Sequence, residues 1–226
     1  MRQYGRQQNT SSSLPFQTLG EEIGNSILHG LGVLLAIAGL VLLTLRANGY
    51  LGGRGGGAPV VTTLVIFTAS MVILFLASTL YHGIQHREAK RIFRVLDHSA
   101  IYILIAGTYT PFCLLGLRGA MGWTYFGVEW ALALTGICLY ASGVRFIKKA
   151  ELAVYIVMGW AILGGGFWLS RVIPRKSMIL LIAGGVAYTL GTFWYRKKGR
   201  YMTHVIWHIF VLAGAALHWW SVWFMS

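Results

Sequence analysis

Near the C-terminal end stands HVIWH, with His204 and His208 four residues apart. On a helix that spacing puts both imidazoles on one face, where a single metal ion can take both. An earlier segment, STLYH, supplies His82 with Ser78 one turn before it, and Asp97 is the only aspartate in the chain. Three imidazoles on zinc leave a fourth position open, and a water bound there has its pKa lowered to roughly 7. A carboxylate beside that water can take its proton or hold it in place, which is the role open to Asp97. Ser78 can hydrogen-bond the water or a substrate oxygen. HxxxH alone carries little weight, because histidines at membrane surfaces also serve as amphipathic anchors. The elements that bear these residues must bring them together.

Those elements follow from composition. Apolar residues make up 56% of the 226 and charged residues 11%, with a mean hydropathy of +0.64. A soluble domain carries about 25% charge, so this chain could not cover its surface in water. Residues 1–20 are polar, lack the apolar core of a signal peptide, and read as a disordered tail. Apolar stretches long enough to cross roughly 30 Å of hydrocarbon then recur at 25–46, 60–83, 98–117, 122–142, 152–171, 177–195 and 203–224. The expectation is an all-α membrane protein, a seven-transmembrane helix bundle spanning 21–226 with no separate soluble domain.

The charge of +13 sorts by loop. Thirteen Lys and Arg fall in the tail and in the loops around 84–97, 143–151 and 196–202; six fall on the other side. The positive-inside rule then puts the N-terminus in the cytoplasm and the C-terminus outside. Read this way, the basic excess records topology and contact with anionic lipid head groups, and gives no reason to expect nucleic-acid binding. Span two runs inward and spans three and seven start inside, so His82, Asp97, His204 and His208 are expected at one depth, near the cytoplasmic side. Arg87, Lys90, Arg91 and Arg94 recur at helical spacing among apolar neighbours. They suit either a short cationic helix on the inner leaflet or a solvated loop. Cys113 and Cys138 fall at different depths on antiparallel spans and are read as free.

The segments EEIGNSILHGLG (21–32), STLYH with RVLDHSAIYILIAGTYTPF (78–112) and HVIWHIFVLAGAALHW (204–219) resemble the bacterial hemolysin III family. That family is grouped with the progestin and adipoQ receptors, which include the adiponectin receptors, and more widely with the alkaline ceramidases. The resemblance implies seven helices, an inward N-terminus, a bacterial cytoplasmic (inner) membrane location and a zinc ion near the cytoplasmic side. His82, His204 and His208 match the zinc ligands, Asp97 the carboxylate that reaches the metal through water, and Ser78 the motif serine. It also implies a membrane lipid as substrate or ligand.

Other polar residues are harder to place. His86 could compete with His82 as a ligand. His98 is read as an interface residue, and His29 either as that or as a support for the ligands. Glu129 and His218 fall at similar depth from the outer side, so an expected pairing between them would lower the cost of burying each. The glycines at 24, 30, 164–166, 184, 185 and 191 are read as permitting close helix packing. Three functions fit these parts: an intramembrane zinc hydrolase of lipid amides or esters in membrane-lipid homeostasis, a non-enzymatic sensor or receptor-like regulator with structural zinc, and a hemolysin-type pore. The pore has least support, because its spans should carry polar stripes.

Overall fold

The computed structural model of the chain describes residues 17–53, 55–197 and 200–226. Among them are seven helices long and apolar enough to cross a membrane: α1 (Leu19–Ala47), α2 (Gly57–Gly83), α3 (Arg87–Leu117), α4 (Gly119–Ala141), α5 (Arg145–Val172), α6 (Arg175–Tyr195) and α7 (Thr203–Met225). Short connections make successive helices antiparallel. The starts of α1, α3, α5 and α7 and the ends of α2, α4 and α6 therefore share one face of the bundle, called here the near face.

Three helices begin earlier than hydrophobicity alone predicts: α1 at 19 rather than 25, α3 at 87 rather than 98, α5 at 145 rather than 152. Reading apolar runs stops at the first charged residues, whereas these helices continue through them and fold them into the near end of the bundle. The tail expected over 1–20 lies outside the described residues as far as residue 16, and its last part is not tail. Thr18 caps α1 in a capping box, its side chain accepting from Glu21 N–H while Glu21 reaches back to Thr18 N–H. The cationic segment 87–97 is neither a separate surface helix nor a loop but the first turns of α3, with Lys90 turned inward.

α3 is the most buried span. It packs on α2 to one side and on α4 and α5 to the other, while α6 pairs with α7 and α1 closes against α2 and α7. Without water to drive association, helices in lipid gain by close approach at small residues. Gly107 of α3 abuts Ser70 of α2, Gly136 of α4 seats the Tyr102 ring of α3, and Gly39 of α1 lies under Trp219 of α7. Tyr102 is fully buried and has nowhere to retreat. Gly136→Leu is therefore expected to destabilise the bundle by about 1–3 kcal/mol, read as a lowered melting temperature in detergent. The outward face of α1 (Ile23, Ile27, Leu31, Leu34, Val41) is exposed, as a helix at the rim of a membrane bundle requires.

Two helices depart from regular geometry in the far half. Pro111 in α3 is followed by a π-helical stretch at Phe112–Leu117, and α5 tightens to a 3-10 turn at Ala161–Gly165. Backbone groups freed at such breaks need partners inside the protein. The Tyr109 hydroxyl supplies them, accepting from Ile162 N–H at 2.5 Å and donating to the Met158 carbonyl at 2.8 Å. Gly164 and Gly165 lie close against Tyr125 and Leu117 and serve packing as expected, whereas Gly166 faces open space. Cys113 and Cys138 are free.

Candidate metal centre

Antiparallel packing brings His82, at the near end of α2, against the first turns of α7. One ring nitrogen each from His82, His204 and His208 lies within 4.8 Å of the other two. The His82 Nε2–His208 Nε2 distance is 3.1 Å. Two nitrogens held by one tetrahedral ion at about 2.0–2.1 Å stand roughly 3.3 Å apart, so the spacing suits zinc. His204 completes the triangle, its ring centroid 4.6 Å from that of His208 and 5.3 Å from that of His82.

Neighbouring side chains fix two of these rings. Glu22 of α1 accepts at Oε2 from His82 Nδ1–H at 2.7 Å, while its Oε1 lies 2.8 Å from Lys90 Nζ of α3. Lys90 also donates to the Tyr81 carbonyl at 3.0 Å, so the buried ammonium and carboxylate are both satisfied. With its Nδ1 protonated toward Glu22, His82 presents an unprotonated Nε2 to the centre of the cluster. On the other side, His208 Nδ1 lies 2.8 Å from His29 Nε2. If His208 donates there, its Nε2 is unprotonated as well and both Nε2 lone pairs are free for one ion; if His208 instead accepts from His29, its Nε2–H donates to His82 across the 3.1 Å contact. Glu21 steadies α7: its Oε1 accepts from Met202 N–H at 2.7 Å. Met202, the residue before α7, has a left-handed φ of 61°, a conformation that costs a non-glycine residue about 1 kcal/mol or more. Adjacent acids at the start of α1 thus reach the two helices that bear the histidines.

Asp97 lines a small chamber of about 30 Å³ with His29, His98, His204, His208 and Tyr195. A single water needs about 10–15 Å³ of such space, so the chamber holds one or two. Ser78 is fully buried beside the Asp97 carboxyl, and its hydroxyl makes no well-formed hydrogen bond within the protein. Placed there, the hydroxyl is within reach of the Asp97 carboxylate and of a water or substrate oxygen in the chamber. His86 is not in the cluster: it caps α3, its Nδ1 accepting from Ala89 N–H. His98, read from sequence as an interface residue, belongs instead to a buried network. Its Nδ1 lies 3.1 Å from Glu151 Oε2, its ring stacks on Tyr140, and its carbonyl accepts from Tyr155. Tyr195 donates to Glu151 Oε1 at 2.8 Å.

Glu22 and Glu151 are the functional candidates that sequence reasoning missed. Both were placed outside the spans, although the rule that singles out Asp97 applies equally to them: the chain has six acids, and each near an apolar run is informative. The expected Glu129–His218 pair does not form. His218 Nε2–H donates to the Leu181 carbonyl at 3.0 Å and its ring packs against Tyr188. Glu129 is buried, with Oε2 unbonded and Tyr109 and Cys113 near its charge. Equal depth did not imply facing directions.

Two further cavities lie beyond the chamber. Ile101 and Trp207 form walls of the chamber and also of an apolar cavity of about 90 Å³ between α3, α5, α6 and α7. That cavity shares Thr108, Tyr109, Trp160 and His218 with a larger one, of about 320 Å³, toward the far face.

A three-histidine cluster, two of its rings buried, at one end of a seven-span bundle defines the class, a multi-pass membrane protein with a candidate metal centre. A model of haemolysin-III related proteins matches residues 17–219, and the chain belongs to that family. It is 41% identical over 208 residues to Hemolysin-3 of Bacillus cereus, covering 92% of this chain and 93% of that one. To the Hemolysin-3 homolog of Bacillus subtilis it is 43% identical over 199 residues, covering 88% and 91%. The human monocyte to macrophage differentiation factor is more distant, 26% identical over 167 residues, with 71% and 69% covered.

Proposed function

We propose that this chain is a zinc-dependent intramembrane hydrolase of a lipid amide or ester, working in membrane-lipid homeostasis. It lies in the bacterial cytoplasmic membrane with the near face and N-terminus inside, on the distribution of Lys and Arg. The observation that carries this reading is that the chamber containing Asp97 and the histidines shares two wall residues, Ile101 and Trp207, with an apolar cavity running along the bundle. An acyl chain in that cavity would present its carbonyl end to the cluster.

His82, His204 and His208 would hold the ion. Zinc in such a site supplies Lewis acidity and an acidic water. Asp97 accepts a proton at its carboxylate, and Ser78 Oγ steadies an oxygen beside it. His29 and Glu22 orient their partner imidazoles, while Ile101 and Trp207 keep bulk water out. The test is release of fatty acid from lipid amides and esters by purified protein, with zinc and after chelation. Turnover only with zinc supports the hydrolase. A folded, zinc-loaded protein that cleaves neither class overturns it.

Glu22→Gln removes the charge that faces His82. It is expected to weaken zinc binding about 10–100-fold, read by competition with a chromogenic chelator. Melting of the metal-free variant measures separately the cost of leaving Lys90 unpaired.

The second reading, a non-enzymatic regulator, is favoured by the placement of the candidate ligands on α2 and α7, since one ion there would tie the two helices together. The hemolysin activity named in the relatives has less support: the accessible walls of the cavity are almost wholly apolar, its few hydroxyls and His218 being turned to partners or buried, whereas a pore needs a continuous polar path.

A further inference from the structure

The cavity between α3, α5, α6 and α7 is largely apolar, and the hydroxyls of Tyr109, Tyr155, Thr189 and Thr192 on its walls are bonded within the protein. His218 of α7 lines both of its parts and Tyr188 of α6 lines the nearer one, their ring centroids 5.4 Å apart. Because His218 Nε2–H donates to the Leu181 carbonyl, the Nδ1 of the neutral ring can only accept. That atom is buried and has no partner, and the same is true of the Tyr188 hydroxyl. His218 itself is 7% exposed. The Cδ2–Nε2 edge of its ring is packed on Gly184, so Nδ1 lies on the opposite edge. An acceptor and a hydroxyl buried unpaired in the wall of an oily cavity each cost free energy, which a small turn of the two side chains toward an entering polar group would recover.

We infer that His218 and Tyr188 form a polar subsite for a hydroxyl carried partway along the acyl chain of the ligand. A hydroxyl both donates, to His218 Nδ1, and accepts, from Tyr188 O–H, and no other single group of a simple lipid chain does both. The level is set by α7. His218 lies ten residues beyond His208, about 15 Å along the helix at ~1.5 Å per residue. An extended chain advances ~1.2 Å per bond, which places the hydroxyl about a dozen carbons from the carbonyl. The substrate class is then a mid-chain hydroxylated acyl amide or ester rather than an unsubstituted one.

This rests on the hydrolase reading only for where the carbonyl lies, and binding tests it without turnover. Octadecanamide, 12-hydroxyoctadecanamide and 2-hydroxyoctadecanamide compete against a fluorescent fatty acid on the full chain in lipid nanodiscs, metal-free and zinc-loaded. The 12-hydroxy compound is expected to bind about tenfold tighter than the other two. Tyr188→Phe, which keeps the ring and deletes the hydroxyl, is expected to abolish that preference while leaving octadecanamide binding unchanged. His218→Phe should do the same. Equal binding of the three amides to the unaltered protein overturns the subsite, the two atoms then being bridged by water, and leaves the hydrolase reading standing. If no amide displaces the probe, the cavity does not take acyl chains, and both readings fall. Preference with no hydrolysis keeps the subsite and removes only the enzyme.

Discussion

Zinc bound to the purified protein should fall from about one ion per chain to almost none when His208 is replaced by alanine. His208 is 3% exposed and stands at the centre of the cluster, 3.1 Å from His82 and 2.8 Å from His29. Structural zinc sites bind with about 10–16 kcal/mol shared among four ligands, so removing one ligand weakens binding roughly 10²–10³-fold. Metal analysis after dialysis against a weak chelator measures this. The variant should remain helical, because α6 and α7 pack along their whole lengths and His29 and His82 lose a partner that the small chamber can replace with water. A folded His208→Ala protein that keeps its zinc would show that the ion, if bound, lies elsewhere.

Asp97→Asn is expected to lower lipid hydrolysis about 10²–10⁴-fold, the range for loss of a positioned general base, while zinc content stays near that of the unaltered protein. Asparagine has the same shape and can still hydrogen-bond a water, but it cannot take a proton. Parallel measurement of zinc and of initial rate separates two roles. Loss of both would make Asp97 a direct ligand. Zinc and rate both preserved would move the base to another group, and Glu151, joined to His98 and Tyr195 at the same end of the bundle, is the next buried carboxylate to test.

Much of this arrangement was legible without coordinates. The number of spans follows from apolar length, and the shared depth of His82, Asp97, His204 and His208 follows from counting antiparallel crossings. HxxxH gives a common face through the helical repeat alone. The missed acids have one physical origin. Hydropathy marks where a helix becomes apolar, not where it begins, and the charged first turns of α1, α3 and α5 carry Glu22, Lys90 and Glu151. The Thr18–Glu21 capping box was readable in TLGE and would have moved the start of α1 far enough to include Glu22.

Direction was not legible. Glu129 and His218 share a depth yet have different partners, since facing depends on how each helix is rotated about its axis, and packing against neighbours sets that rotation. The cavity beside α5 depends likewise on a break at Ala161–Gly165 and on a tyrosine from another helix that satisfies it. The sequence by itself determined the class of fold, the level of the polar residues and the spacing of the candidate ligands, because these are properties of single helices in a bilayer. Only the tertiary structure decided which carboxylate faces which imidazole and that the chamber beside the cluster shares walls with an apolar cavity in the bundle. Those depend on contacts between helices far apart in sequence, where small residues such as Gly107, Gly136 and Gly184 set the distance of approach.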